Sequence, residues 1–152
     1  MHTYVLGKCV RTLLFVAGLC LVLPDAQVQA DTGYYDAQGR YQGKARTNSR
    51  GGSDFYDSQG RRQGSSRENA SGGTSYYDAQ GRYQGKNRPD SMGGFRSYDK
   101  SGRYQGRSKP NSRGGYDYYD NAGRYQGSSR ANSRGGLNFY DASGRRQGSS
   151  RP

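Results

Sequence analysis

Six aspartates, Asp36, Asp57, Asp78, Asp99, Asp120 and Asp141, stand 21 residues apart without a slip. A period in this range calls for stacked or arrayed supersecondary units, because one unit alone is too small to bury a core. Each aspartate is preceded by a tyrosine and followed three residues later by a glycine and then an arginine. A variable Tyr or Arg, an invariant Gln and an invariant Gly complete the phrase, as in Tyr-Asp-Ala-Gln-Gly-Arg-Tyr-Gln-Gly from Tyr35 to Gly43. Between units lies a polar stretch, commonly Asn-Ser-Arg-Gly-Gly, whose glycine pair is present every time.

The Asp-x-x-Gly step carries its own structure. Asp is favoured at the first position of a type I turn, where its carboxylate accepts from nearby backbone N–H groups. Gly at the fourth position takes a positive φ cheaply, and the two together build a three-residue hairpin loop with a glycine bulge. Aromatic residues on either side favour strand, and glycine recurs too densely for helix. Each unit therefore reads as a short β-hairpin and each glycine pair as a looser connector. The loop sets the register: in unit two Asp57 faces Arg61, Tyr56 faces Arg62, and Phe55 faces Gln63. Extended to every unit, this gives six Asp–Arg cross-strand pairs. It also gives Tyr–Tyr pairs at Tyr35/Tyr41, Tyr77/Tyr83, Tyr98/Tyr104 and Tyr119/Tyr125. Tyr–Arg pairs at Tyr56/Arg62 and Tyr140/Arg146 should add a cation–π contact.

The fold class expected is all-β, an array of six 21-residue hairpins over residues 31–152 after a signal peptide at 1–30. The hairpins could form a meander, close into a ring or behave as separate beads, since one hairpin is marginal in water. A largely disordered chain is the alternative. From Asp31 onward there is no Val, Ile, Trp, Cys or His, and the large aliphatic residues are Met92 and Leu137 alone. Tyrosine and phenylalanine must supply nearly all the apolar surface.

The first thirty residues differ from the rest. Lys8 and Arg11 precede the apolar run Leu13 to Leu23, Pro24 follows, and Val28 and Ala30 supply small residues for a cleavage site. That is the pattern of a secretory signal peptide cut after Ala30; the run is shorter than the about 20 residues that span a bilayer. The expected location is periplasmic or secreted, with no transmembrane span after cleavage. Cys9 and Cys20 both fall in this segment, and Leu19 sits where a lipoprotein site needs a small residue. The exported chain would have no disulfide.

At Tyr-Asp-Ala-Gln-Gly-Arg and its variants the chain resembles the YD repeats of Rhs-type and teneurin-type proteins, over Tyr34 to the C-terminus. The resemblance implies extracellular β-hairpins; in that family they spiral into large shells, some associated with carbohydrate binding or with enclosing a toxin domain. This chain has Tyr or Arg where the family usually places Leu, only six units, and no domain to enclose. It also looks like small bacterial exported proteins built from the same phrase.

An enzyme is not expected. His2 is the only histidine and would leave with the signal peptide, and no serine has a base candidate beside it in the sequence. The six aspartates are turn formers. Asp54 with Asp57, or Asp117 with Asp120, could touch a cation, but the basic surroundings and the lack of a dense oxygen loop oppose a metal site. No cofactor is expected.

Binding suits the chain better. The formal net charge is +12, with 24 Lys and Arg against 12 Asp and Glu, and arginine suits bidentate contact with phosphate, sulfate and carboxylate. Tyrosine faces suit stacking on sugars or bases, and repetition adds avidity. The expected partner is an anionic polysaccharide or other polyanion of the envelope. The candidate contacts are Tyr35, Tyr41, Tyr56, Arg62, Tyr77, Tyr83, Tyr98, Tyr104, Tyr119, Tyr125, Tyr140 and Arg146. Two other classes stand beside it. Ser-Arg-Gly-Gly segments with interspersed Tyr look like RNA-binding segments, which makes nucleic acid the rival partner, less favoured because the signal peptide argues against an intracellular role. Self-association as a matrix protein, through Tyr and Gln at strand edges, is the other, and the dense arginine opposes it.

Overall fold

The computed structural model describes residues 31–152; the signal-peptide reading, with Cys9, Cys20 and His2, lies outside them. These residues form twelve antiparallel strands, two per repeat. Unit one contributes β1 (Thr32–Asp36) and β2 (Tyr41–Thr47), unit two β3 (Ser53–Asp57) and β4 (Arg62–Glu68), and unit three β5 (Thr74–Asp78) and β6 (Tyr83–Pro89). Units four to six give β7 (Phe95–Asp99), β8 (Tyr104–Pro110), β9 (Tyr116–Asp120), β10 (Tyr125–Ala131), β11 (Leu137–Asp141) and β12 (Arg146–Arg151). Each strand pairs with its neighbours in sequence, and β1 pairs with β12, so the sheet closes into a barrel. Of the arrangements left open by the sequence, the ring is the one adopted. A closed sheet leaves no strand edge unpaired.

The six Asp-x-x-Gly turns form one rim. In unit two the Asp57 N–H donates to Arg61 O at 3.0 Å and the Gly60 N–H to Asp57 O at 3.0 Å. Gly60 has φ +78°. Asp57 Oδ1 accepts from the backbone N–H groups of Gln59 and Arg61 at 3.0 and 2.9 Å. Its Oδ2 accepts from Arg61 Nε at 2.9 Å and Gln63 Nε2 at 2.8 Å. All six expected Asp–Arg pairs are present.

Two expectations are corrected. Phe55 faces Gly64, not Gln63, because the register shifts between Phe55 and Tyr56. The glutamine leaves the ladder as a bulge and turns its amide to the Asp carboxylate, and its role is in the turn rather than in edge pairing. The connectors are also tight, not loose. Asn48 N–H donates to Gly52 O at 2.9 Å, and Asn48 Oδ1 accepts from Arg50 and Gly52 N–H. Asn-x-x-Gly is thus the same turn with an amide in place of the carboxylate, and it builds the opposite rim. The amide adds a donor: Asn48 Nδ2 reaches Ser66 O in the next unit at 3.1 Å, and Asn111 and Asn132 repeat the link to Ser129 O and Ser150 O.

Alternation divides the strands into inward and outward faces. One inward layer is aromatic, Tyr34, Phe55, Tyr76, Tyr118 and Phe139, with Ser97 in unit four. Each of these residues faces the second glycine of its own phrase across the hairpin, as Tyr34 faces Gly43 and Tyr118 faces Gly127. A Cβ at Gly43 or Gly127 would run into the carbonyl oxygen of Tyr56 or Tyr140, so the missing side chain lets the next unit's strand approach closely. The Tyr118 hydroxyl, over Gly127, meets Ser129 Oγ at 2.9 Å. The next layer is small and buried: Ala45, Ser66, Asn87, Ser108, Ser129 and Ser150. Ser66, Ser129 and Ser150 accept backbone N–H groups of Ser53, Tyr116 and Leu137. Tyr34, Ala45 and Phe139 make the apolar centre, with Phe55 and Leu137 packed on it. Met92 is exposed at a turn tip.

Candidate polyanion-binding wall

The outward face holds the predicted contact residues at one level, next to the Asp rim. The Tyr–Tyr pairs fall as the register required: Tyr35 and Tyr41 have centroids 5.8 Å apart, Tyr77 and Tyr83 5.9 Å, Tyr98 and Tyr104 6.0 Å, and Tyr119 and Tyr125 5.9 Å, all edge-to-face. In each pair the second tyrosine is the more open, with Tyr41 42% and Tyr125 41% exposed. Tyr83 has its hydroxyl pKa raised, first by desolvation and then by Tyr77 and Asp99. Tyr83 therefore presents a neutral ring at physiological pH.

In units two and six Tyr56 faces Arg62 and Tyr140 faces Arg146, as expected. The cation–π contacts come from elsewhere. The Arg62 guanidinium turns to Asp54 Oδ1 at 3.0 Å and to Ala79 O of the next unit at 3.2 Å. The cation over Tyr140 is Arg130, on the preceding strand, 4.3 Å from the centroid. Arg67 over Tyr77 and Arg151 over Tyr35 repeat the arrangement. In these three interfaces a buried serine, Ser128, Ser65 or Ser149, stands directly opposite the tyrosine. Its small side chain leaves space for the arginine two residues on to fold over the ring. Where Lys44, Lys86 or Arg107 stands there instead, the ring is approached differently. Arg46 joins Lys44 in pairing with Asp31, each at 3.3 Å, and Arg107 and Lys109 share Tyr119 at 5.5 and 5.7 Å.

Charge is segregated. The invariant arginines at the Asp rim are neutralised in place by their aspartates. All six of these carboxyls lie below their usual value of 3.8. At Asp36, Asp57 and Asp78 desolvation is the largest influence and acts upward, but the N–H groups and guanidinium of the turn together outweigh it. At Asp99, Asp120 and Asp141 the backbone N–H of the following arginine leads. The outward strand positions hold most of the other lysines and arginines against two carboxylates, Asp54 and Asp117. The excess positive charge thus lies on the wall, interleaved with tyrosine.

The sequence reading missed the wall cations Lys44, Arg46, Arg67, Lys86, Arg88, Arg107, Lys109, Arg130 and Arg151, which fell in stretches read as connector. Their signal was alternation continued past the second glycine. No protein-family model matches this chain, and no curated protein matches it.

Proposed function

We propose that the protein is an exported, non-enzymatic binding module whose outer wall docks anionic polymers of the envelope or extracellular matrix. The observation that carries this reading is the segregation of charge: paired ions at the Asp rim, and an excess of Lys and Arg over carboxylates beside the tyrosines of the wall. Guanidinium supplies paired donors for phosphate, sulfate or carboxylate, and an exposed aromatic face supplies a stacking surface. Repeating the combination around one barrel multiplies weak contacts along a repetitive ligand. The basic start and apolar run of residues 1–30 support export.

The same wall speaks against burial in lipid. Strands of five to seven residues are shorter than the about 9–11 of a spanning strand, and outward charge at this density is costly in hydrocarbon.

The test is a titration of the purified protein with an acidic polysaccharide and, in competition, with duplex DNA, across a range of salt. Saturable, salt-sensitive binding that is weakened by Tyr41→Ser and Tyr125→Ser supports the reading. Preferential retention of DNA supports the nucleic-acid alternative, and no binding to either at low salt refutes both.

A further inference from the structure

Unit four breaks the charge pattern of the wall. The second residue of each odd strand, which points outward, is Gly33, Asp54, Ser75, Asp117 or Asn138 in the other units, neutral or acidic each time. In unit four it is Arg96. The register sets Arg96 directly opposite Arg88 on β6 and directly opposite Arg107 on β8. Residues so placed have Cβ atoms about 4.5–5.5 Å apart, and like charges there are destabilising. Among the described residues none of the three arginines has an ion pair; the Arg107 guanidinium lies 5.5 Å from the Tyr119 ring centroid, a surface contact that it would give up to turn toward Arg96. The carboxylates nearby in sequence are engaged elsewhere. Asp90 accepts Met92 and Gly94 N–H in its turn, and Asp117 faces Lys109 and accepts from Asn111 Nδ2. Lys86, two residues before Arg88, adds a further cation on the same face. Arg88 and Arg96 are exposed.

We propose that Arg88, Arg96 and Arg107 form a binding site for a phosphoryl group. Three guanidinium groups on three adjacent strands offer more paired donors than one carboxylate can accept. A phosphate, with up to two charges and three or four oxygens, can engage all three. Binding relieves the repulsion that the empty site carries. The site deepens the polyanion reading and rests on it only for the phosphate being borne on a polymer.

The purified protein is titrated with pyrophosphate and with polyphosphate while backbone amide shifts are followed. Saturable shifts centred on Arg88, Arg96 and Arg107 are expected with both, tighter with polyphosphate if the natural ligand is a chain. Arg96→Asp restores the residue type of units two and five. It should raise the melting temperature in phosphate-free buffer and abolish the localised shifts. Shifts spread evenly over the six units, or an Arg96→Asp protein that binds pyrophosphate as the parent does, would overturn the site. Failure of the wider reading shows separately, as loss of polysaccharide binding in the tyrosine variants with this titration unchanged.

Discussion

Arg151 in the last strand sets its guanidinium 4.3 Å from the ring centroid of Tyr35 in the first. The contact repeats that of Arg130 with Tyr140, also 4.3 Å, and Ser149 faces Tyr35 as Ser128 faces Tyr140. The barrel therefore closes with the interface it already uses between consecutive units. Loss of the single contact in Arg151→Ala should cost about 0.5–1 kcal/mol. Truncation before Arg146 is harsher, because it leaves β1 and β11 with unpaired edges, which template association. Sedimentation equilibrium should show mass rising with concentration for the truncated chain; a strict monomer with its sheet intact would argue against ring closure.

Two glycines four residues apart in the same hairpin should respond differently to alanine. Gly81 has φ +79° and open space where a Cβ would be, so Gly81→Ala carries only the left-handed penalty, about 1–2 kcal/mol. Gly85 has φ +147°, and a Cβ there would run into the carbonyl oxygen of Tyr98 on the next unit. Gly85→Ala should be the more damaging, moving the denaturant midpoint several times further than Gly81→Ala. Equal shifts would mean that the inter-unit approach is looser than described.

The six turn aspartates make stability acid-sensitive. Each carboxyl has a folded pKa below its usual 3.8. As pH falls, the unfolded chain takes up protons first. The contribution is thus complete above the unfolded value and disappears as pH passes down through the folded ones. Thermal melts should be flat with respect to these groups near neutrality and fall steeply below about pH 4. Asp99→Asn keeps the turn, as Asn48 does on the other rim, but gives up the ion pair with Arg103. It should melt lower at pH 7 and show a shallower acid limb.

Arg62 touches Asp54 and the Ala79 carbonyl from an exposed position. Such surface pairs are worth about 0–1 kcal/mol, so Arg62→Ala should leave folding intact. On the proposed function it should still weaken polyanion binding, in the same salt-dependent manner as Tyr41→Ser. A variant that unfolds would show that Arg62 is chiefly structural, and one that binds undiminished would remove it from the contact set.

The hairpins were legible because their code is local. Asp, Gly and Arg within five residues fix the loop, and the loop fixes which tyrosines meet. The second set of turns was equally local, and Asn48, Asn69, Asp90, Asn111 and Asn132 each begin an x-x-Gly step. The Asp-x-x-Gly rule applied at Asp90 already places Arg88 opposite Arg96. The same rule fails for Arg107: counted from Asp99, Arg96 would face Gly106. It faces Arg107 only because Gln105 leaves the ladder to bond Asp99 Oδ2 at 3.1 Å.

By itself, then, the sequence determined the repeat, the turns and the tyrosine pairs, all set by interactions spanning a few residues. Tertiary structure decided the closure of six units into one barrel, the stacking of Arg67, Arg130 and Arg151 on a tyrosine of the neighbouring unit, and the pairing of Arg96 with Arg107. The first two depend on how one hairpin lies against another; the third is settled inside unit four, where Gln105 leaves the ladder for the Asp99 carboxylate.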